Sequence, residues 1–338
     1  MDWELISSSC PVTEKIPGFR YKNISALGVA VLVNASEDVA TFLDIGCDPN
    51  FNGTYLTYID TECANPIFKK LGISCAREVK IEGYTPLILA VLYGTTETFK
   101  KLVQAPHIDI DAYPSDLYAP LWLAADSGNF EMVQILAEAG ANLESKGGEY
   151  LTTPLGTSIH GGNLNLLRYL ISKGANVNSR STSGSTPASY AANQGNVEIL
   201  SMLQEAGADL DDLAGPSNTT LLTIAAAANR LNIVDFLISQ RVDLNRVDLD
   251  GLNAVYFAAR DGYLDILQSL AKAGADLDMI YGKQQYSAVS VALVEGNMDA
   301  ALYLIKNGAN IDIQSAKGFT PSDIAAYYGH LSVLKSSR

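Results

Sequence analysis

Three histidines, His107, His160 and His330, supply the only imidazoles for metal binding or acid–base work, and 53 and 170 residues separate them. A zinc or catalytic set gathers such groups at short spacings or within one pocket. Here His107 follows Pro106 in a loop, His160 lies in a helical stretch and His330 follows a glycine, so each belongs to a different segment. No Gly-x-x-x-x-Gly-Lys-Ser/Thr loop is present, and no Gly-x-Ser-x-Gly elbow stands between a strand and a helix. The glycine pairs Gly147-Gly148 and Gly161-Gly162 fit a hairpin and a helix end. Cys10, Cys47, Cys63 and Cys75 fall in the first quarter without the close pairing of a metal or redox motif, and read as ordinary reduced thiols. These residue types point away from an enzyme, and no cofactor or metal site is expected.

The chemistry that the side chains do offer is recognition. Seventeen tyrosines are present, and exposed tyrosine brings a large apolar ring, one polar end and few torsions to freeze. Tyr84, Tyr118, Tyr150, Tyr286 and Phe319 stand just before one recurring landmark. Tyr93, Asp126, His160, Asn193, Gln194, Arg260, Asp261, Glu295, Tyr327 and Tyr328 stand just before another. Such side chains are suited to anchoring a partner; the alternative for any one ring is packing between neighbouring segments. Acidic residues add a second candidate feature: Asp109, Asp111 and Asp116; Asp209, Asp211 and Asp212; Asp243, Asp248 and Asp250; Asp276 and Asp278. They are read either as a strip that attracts a basic peptide or as turn chemistry, to which Asp is suited.

A formal charge of −14 across 338 residues disfavours phosphate backbones and anionic lipid. A protein partner of basic character fits better, with no nucleic acid and no membrane. No run approaches a membrane-spanning length, and Met1 to Pro11 lacks a secretory pattern. The expectation is a soluble, cytoplasmic chain, monomeric on its own. The Asn-x-Ser/Thr triplets at Asn23, Asn34, Asn52 and Asn218 carry no weight in such a chain.

The elements that must position these residues follow from a repeat. Gly-Ala-Asx recurs at Gly140, Gly174, Gly207, Gly274 and Gly308, with intervals of 34, 33, 67 and 34 residues. Arg241-Val242-Asp243 fills the doubled interval. About twenty residues before each lies a second landmark, as at Thr85-Pro86-Leu87, Ala119-Pro120-Leu121, Thr153-Pro154-Leu155, Thr186-Pro187-Ala188 and Thr320-Pro321-Ser322. Between the two come a small pair such as Ala191-Ala192, a glycine such as Gly94, Gly128, Gly195 or Gly262, and an apolar helix such as Leu166 to Ile171. Thr suits an N-cap and the following Pro the first helical position. The two glycines suit left-handed helix ends.

These residues resemble the ankyrin repeat family, whose Thr-Pro-Leu-His-x-Ala-Ala, Gly and Gly-Ala-Asp landmarks span about 33 residues. The match runs continuously over residues 83–334. The resemblance implies an all-α solenoid of helix–turn–helix repeats with hairpin-like loops, and binding of a protein through the concave face formed by hairpin tips and first helices. Residues 1–19 are read as an N-terminal segment or cap, and 20–338 as an array of about nine repeats. The copy at 51–82 is degenerate, with Thr54-Tyr55-Leu56 as its start, and the last copy is incomplete. An alternative in the same class is a host-directed effector or inhibitory adaptor, delivered into a host cytoplasm, that uses the array for targeting.

The sequence departs from the family in two respects. Its landmark His is replaced in every copy, by Ile88, Trp122, Gly156, Ser189, Thr223, Tyr256, Ser290 and Asp323. The repeat beginning at Thr220 carries Asn229 and Arg241 where glycines belong, which predicts a softer joint there.

Overall fold

The computed structural model describes residues 20–22, 26–32, 36–44, 47–50, 55–57, 84–113, 118–150 and 152–330. The chain divides into two compact units, residues 1–176 and 177–338. The segment 1–19, the tail 331–338 and Asp116 lie outside the described residues.

In the first unit, strand β1 (Arg20–Lys22) pairs antiparallel with β2 (Tyr55–Thr57). Four helix pairs follow the repeat: α1 (Ala26–Leu32) with α2 (Ser36–Asp44), α3 (Pro86–Tyr93) with α4 (Thr96–Val103), α5 (Pro120–Asp126) with α6 (Phe130–Glu138), and α7 (Pro154–His160) with α8 (Leu164–Ser172). First helices stack in the order α1, α3, α5, α7, and second helices in the order α2, α4, α6, α8. The helix pair α1–α2 packs on α3–α4, and Tyr55–Thr57, inside the span read as a degenerate copy, is a strand. Most of 51–82 lies outside the described residues.

The second unit contains α9 (Pro187–Gln194) with α10 (Val197–Glu205), α11 (Leu221–Ala227) with α12 (Leu231–Ser239), α13 (Ala254–Asp261) with α14 (Leu264–Lys272), α15 (Ala288–Val294) with α16 (Met298–Lys306), and finally α17 (Pro321–Tyr327). Its first helices stack in the order α9, α11, α13, α15, α17. Two hairpin fingers are regular enough to form strands: β3 (Leu213–Ala214) with β4 (Thr219–Thr220), and β5 (Ile280–Tyr281) with β6 (Tyr286–Ser287).

Local chemistry accounts for the helix ends. The hydroxyls of Thr85, Thr153, Thr186, Thr220, Ser287 and Thr320 each accept the backbone N–H three residues on, satisfying a donor that the first turn leaves orphaned. Residues at the missing His position join these caps. Ser189 and Asp323 close full capping boxes, while the Thr223 and Ser290 hydroxyls bond the hydroxyl of the cap residue. In these four copies the polar group at the His position is spent inside its own repeat.

Apolar residues of the second helices hold the layers together. Leu166, Leu167 and Leu170 of α8 are fully buried, as are Ile199, Leu200 and Leu203 of α10. Each such side chain stabilises the fold by about 1.5 to 3 kcal/mol through removal from water. The small pairs Ala191-Ala192, Ala225-Ala226 and Ala258-Ala259 are buried where first helices approach one another.

One glycine departs from the expected pattern. Gly94 ends α3 with φ −76°, not in the left-handed region. Its requirement is space, because a Cβ there would lie 2.6 Å from the Ala90 carbonyl oxygen. Conversely, Asn229 and Arg241 do adopt left-handed backbone, with φ of 54° and 61°. The repeat geometry therefore overrides the local preference of both side chains.

The thiol expectation is also corrected. Cys47, buried at the end of the first helix pair, is engaged in a disulfide, and the other three cysteines lie outside the described residues.

Candidate functional site

The hairpin loops come first, because their carboxylates have two competing uses. Asp109 accepts the Asp111 N–H at 3.1 Å, and Asp111 accepts the N–H of Asn142, one repeat later, at 3.0 Å. Asn142 then accepts from Glu144, whose carboxylate takes the Asn176 N–H at 2.8 Å. The second unit repeats the scheme. Asn178 accepts from Asp209, Asp209 from Asp211, Asp211 from Asp243, Asp243 from Asn245, Asn245 from Asp276, Asp276 from Asp278, and Asp278 from Asn310. Each loop thus turns on its first Asx and hands a second acceptor to the next loop.

Asp212 is held by the Arg180 guanidinium, which also donates to the carbonyls of Gly184 and Leu213. Asp248 accepts from Asp250 and Leu252. Turn chemistry and inter-repeat bonding account for nearly all the acidic residues. The Asp250 carboxylate stands apart, with no hydrogen bond or ion pair among the described residues.

Next come the residues expected at the binding surface. In the first unit, Tyr84, Tyr93 and Tyr118 are half-buried, whereas Asp126, Tyr150 and His160 are exposed. Burial, followed by the proximity of Tyr84, raises the pKa of the Tyr93 phenol. Tyr118 packs on Trp122 with ring centroids 4.7 Å apart. That indole lies so close to Gly147 that a Cβ there would come within 2.4 Å of it. The glycine pair is thus explained by the close approach of a ring, which the sequence pattern did not reveal.

In the second unit, Asn193, Gln194 and Glu295 are exposed and Tyr286 is half-buried on β6, opposite Tyr281. Phe319 and Tyr327 project strongly, at 51% and 84% exposure. Arg260 and Asp261 form a two-bond ion pair at 2.7 and 2.8 Å. The Arg260 guanidinium also lies 4.6 Å from the Phe257 ring centroid. The Asp261 hydrogen bond raises the pKa of Arg260, fixing a charge whose orientation is already set.

The histidines do not converge on a chemical task. His107 has its carbonyl bonded by Asn50, and His330 stacks on Tyr328 at 6.4 Å. No group of three or more His, Cys, Asp or Glu side chains among the described residues is arranged to hold a metal ion. No helix among them is long and apolar enough to cross a membrane.

Comparison with known proteins agrees with this geometry. Family models described as ankyrin repeats match residues 27–147, 145–214, 210–281 and 288–335. An ankyrin repeat and KH domain-containing protein of Caenorhabditis briggsae is 30% identical over 244 residues, covering 71% of this chain and 9% of that protein. The B-cell lymphoma 3 protein homolog of Mus musculus is 27% identical over 210 residues, covering 60% of this chain and 47% of that protein. The chain thus spans less than half the length of both relatives. The crystal structure of the ankyrin repeat domain of Bcl-3 superposes with a TM-score of 0.58 at 22% identity, covering 64% of this chain and 98% of that one, a likeness of fold. Repeats of this kind generally mediate protein–protein interaction. With matches along most of its length, repeated capping and the two-layer helix stack, the chain belongs to the ankyrin repeat family.

Proposed function

We propose that this chain binds a protein partner through hairpin tips and first helices of its repeats, as a non-catalytic scaffold that is monomeric on its own. The observation that carries this reading is the set of rings at those positions that the stack leaves largely in solvent: Tyr150 at 57% exposure, together with Phe319 and Tyr327. Large apolar groups held in water at a folding cost, on a surface otherwise rich in carboxylates, are suited to anchoring a partner. The charge of −14 favours a basic partner and faster encounter at low salt.

The test is affinity capture from a source lysate with mass spectrometry, comparing wild type with a Tyr150→Ala, Phe319→Ala, Tyr327→Ala variant. These rings are exposed, so the variant should keep its helical circular dichroism while losing a stoichiometric partner. Tyr118→Ala is a poorer probe because it also removes the contact with Trp122. Undiminished capture removes the assignment. Turnover of a substrate by the purified chain, abolished by His160→Ala, would replace it with a catalytic one.

A further inference from the structure

The two most exposed aliphatic side chains among the described residues are Leu249, at 70%, and Ile280, at 52%. They belong to successive hairpin fingers of the second unit, and both line one cavity of about 550 Å³. That volume is within the usual range of ligand sites. A hairpin turn calls for Asp, Asn and Gly and gives no reason for an exposed Leu249, while Ile280 stands outward on β5 opposite Ser287. Neither side chain contributes to the buried core of its own repeat.

The cavity wall has a definite chemistry. Tyr256, Tyr281 and Tyr286 supply aromatic surface, with Tyr256 and Tyr281 ring centroids 5.4 Å apart. Gly251 and Gly282 leave the backbone open beside them. Tyr281 is only 1% exposed, so Tyr256 and Tyr286 offer the accessible ring surface. Charge also has a sign here. Asp250 lines the cavity with an uncommitted carboxylate, and the two fingers add Asp248, Asp276 and Asp278 against Lys283.

We propose that this cleft docks an extended segment of a protein partner carrying an arginine beside an apolar residue. The apolar side chain lies against Leu249 and Ile280, and the guanidinium stacks on the tyrosine wall next to Asp250. An arginine matches the rings and the carboxylate at once, since its planar cation stacks on the first and pairs with the second. This deepens the binding function proposed above and rests on it for the nature of the partner.

The experiment uses the full chain with ring-labelled tyrosine, titrated with three capped tripeptides: Leu-Arg-Leu, Leu-citrulline-Leu and Leu-Glu-Leu. Citrulline keeps the shape of arginine and removes its charge. The arginine peptide should shift the Tyr281 and Tyr286 signals, assigned from Tyr→Phe variants, with at least about five-fold higher affinity than the citrulline peptide. The glutamate peptide should leave them unmoved. Asp250→Asn should abolish the preference for arginine over citrulline, and Leu249→Ser with Ile280→Ser should remove the shifts altogether. Equal binding of arginine and citrulline peptides, or shifts that survive the double serine variant, would overturn the proposal. So would full partner capture by the double serine variant alongside loss in the exposed-ring variant, an outcome that leaves the broader binding function standing.

Discussion

Two neighbouring repeats of the second unit share one geometry but reach it with different residues. In the repeat from Thr186 to Asp209, Thr186 caps α9, Asn196 caps α10, and Gly195 and Gly207 supply left-handed ends at φ of 83° and 94°. In the repeat from Thr220 to Asp243, Asn229 and Arg241 take those ends, and Arg230 provides no side-chain cap for α12. The closing bond of the second helix is 2.8 Å from Ala208 to Leu203 in the first repeat and 3.5 Å from Val242 to Leu237 in the second. Yet the second repeat is firmly tied to its predecessor. Arg230 donates to the Asn193 carbonyl at 2.9 Å and Asn232 to the Gly195 carbonyl at 2.7 Å, both across to the preceding repeat. Local perfection and coupling between neighbours are therefore separable, and a repeat weak in one can be strong in the other.

The sharpest way to break this comparison is to remove equivalent core side chains. Leu203→Ala and Leu237→Ala delete fully buried groups, and each should cost about 2 to 5 kcal/mol in urea unfolding. Hydrogen exchange should locate the loosening: mainly within the altered repeat and its immediate neighbours, with the Leu237 variant spreading further towards residues 187–205 because of the Arg230 and Asn232 ties. Uniform loosening of residues 177–330 would end the argument for locality.

A smaller effect comes from exchanging the helix-end residues. At Gly207 nothing lies within 4 Å of an added Cβ, so Gly207→Arg isolates the backbone term and should cost about 1 to 2 kcal/mol. Arg241→Gly should return about 1 kcal/mol or less, since glycine also raises the entropy of the unfolded chain. If urea midpoints show no difference of opposite sign, the left-handed ends do not distinguish the repeats.

The smallest effect is expected at the last helix, where Asp323 closes the box on Thr320. Hydrogen bonds from the Thr320 backbone N–H, then from its hydroxyl, lower the Asp323 pKa. A carboxylate with a lowered folded pKa contributes stability that is present above its unfolded value, near about 4, and is lost as pH falls through the folded value. Fraying of α17, followed by amide signals of residues 320–327, should therefore begin below about pH 4 in wild type. In Asp323→Asn that onset should be absent.

The repeat itself was legible because its landmarks are backbone requirements: Thr before Pro at helix starts, Gly at most left-handed ends, Asx at the loops. The first helix pair was legible for the same reason, whereas the pairing of Tyr55–Thr57 with Arg20–Lys22 was not, because it is a long-range contact. Gly94 misled because space and left-handed φ select the same residue. Sequence named Tyr150, Phe319 and Tyr327 as candidate binding residues, and all three are exposed. It did not separate them from Tyr118, whose burial depends on Trp122, and it passed over Leu249, Ile280 and Tyr281, which meet only when two fingers are set side by side.

The hydrogen-bond relay through the loops gives each module the same plug and socket. Asp211 presents to Asp243 what Asn245 presents to Asp276 and Asp278 to Asn310. Excising one whole period between equivalent loop positions would rejoin a matching pair, so gene rearrangements that lengthen or shorten this chain by unit steps preserve its seams, while out-of-phase ones leave a donor facing nothing.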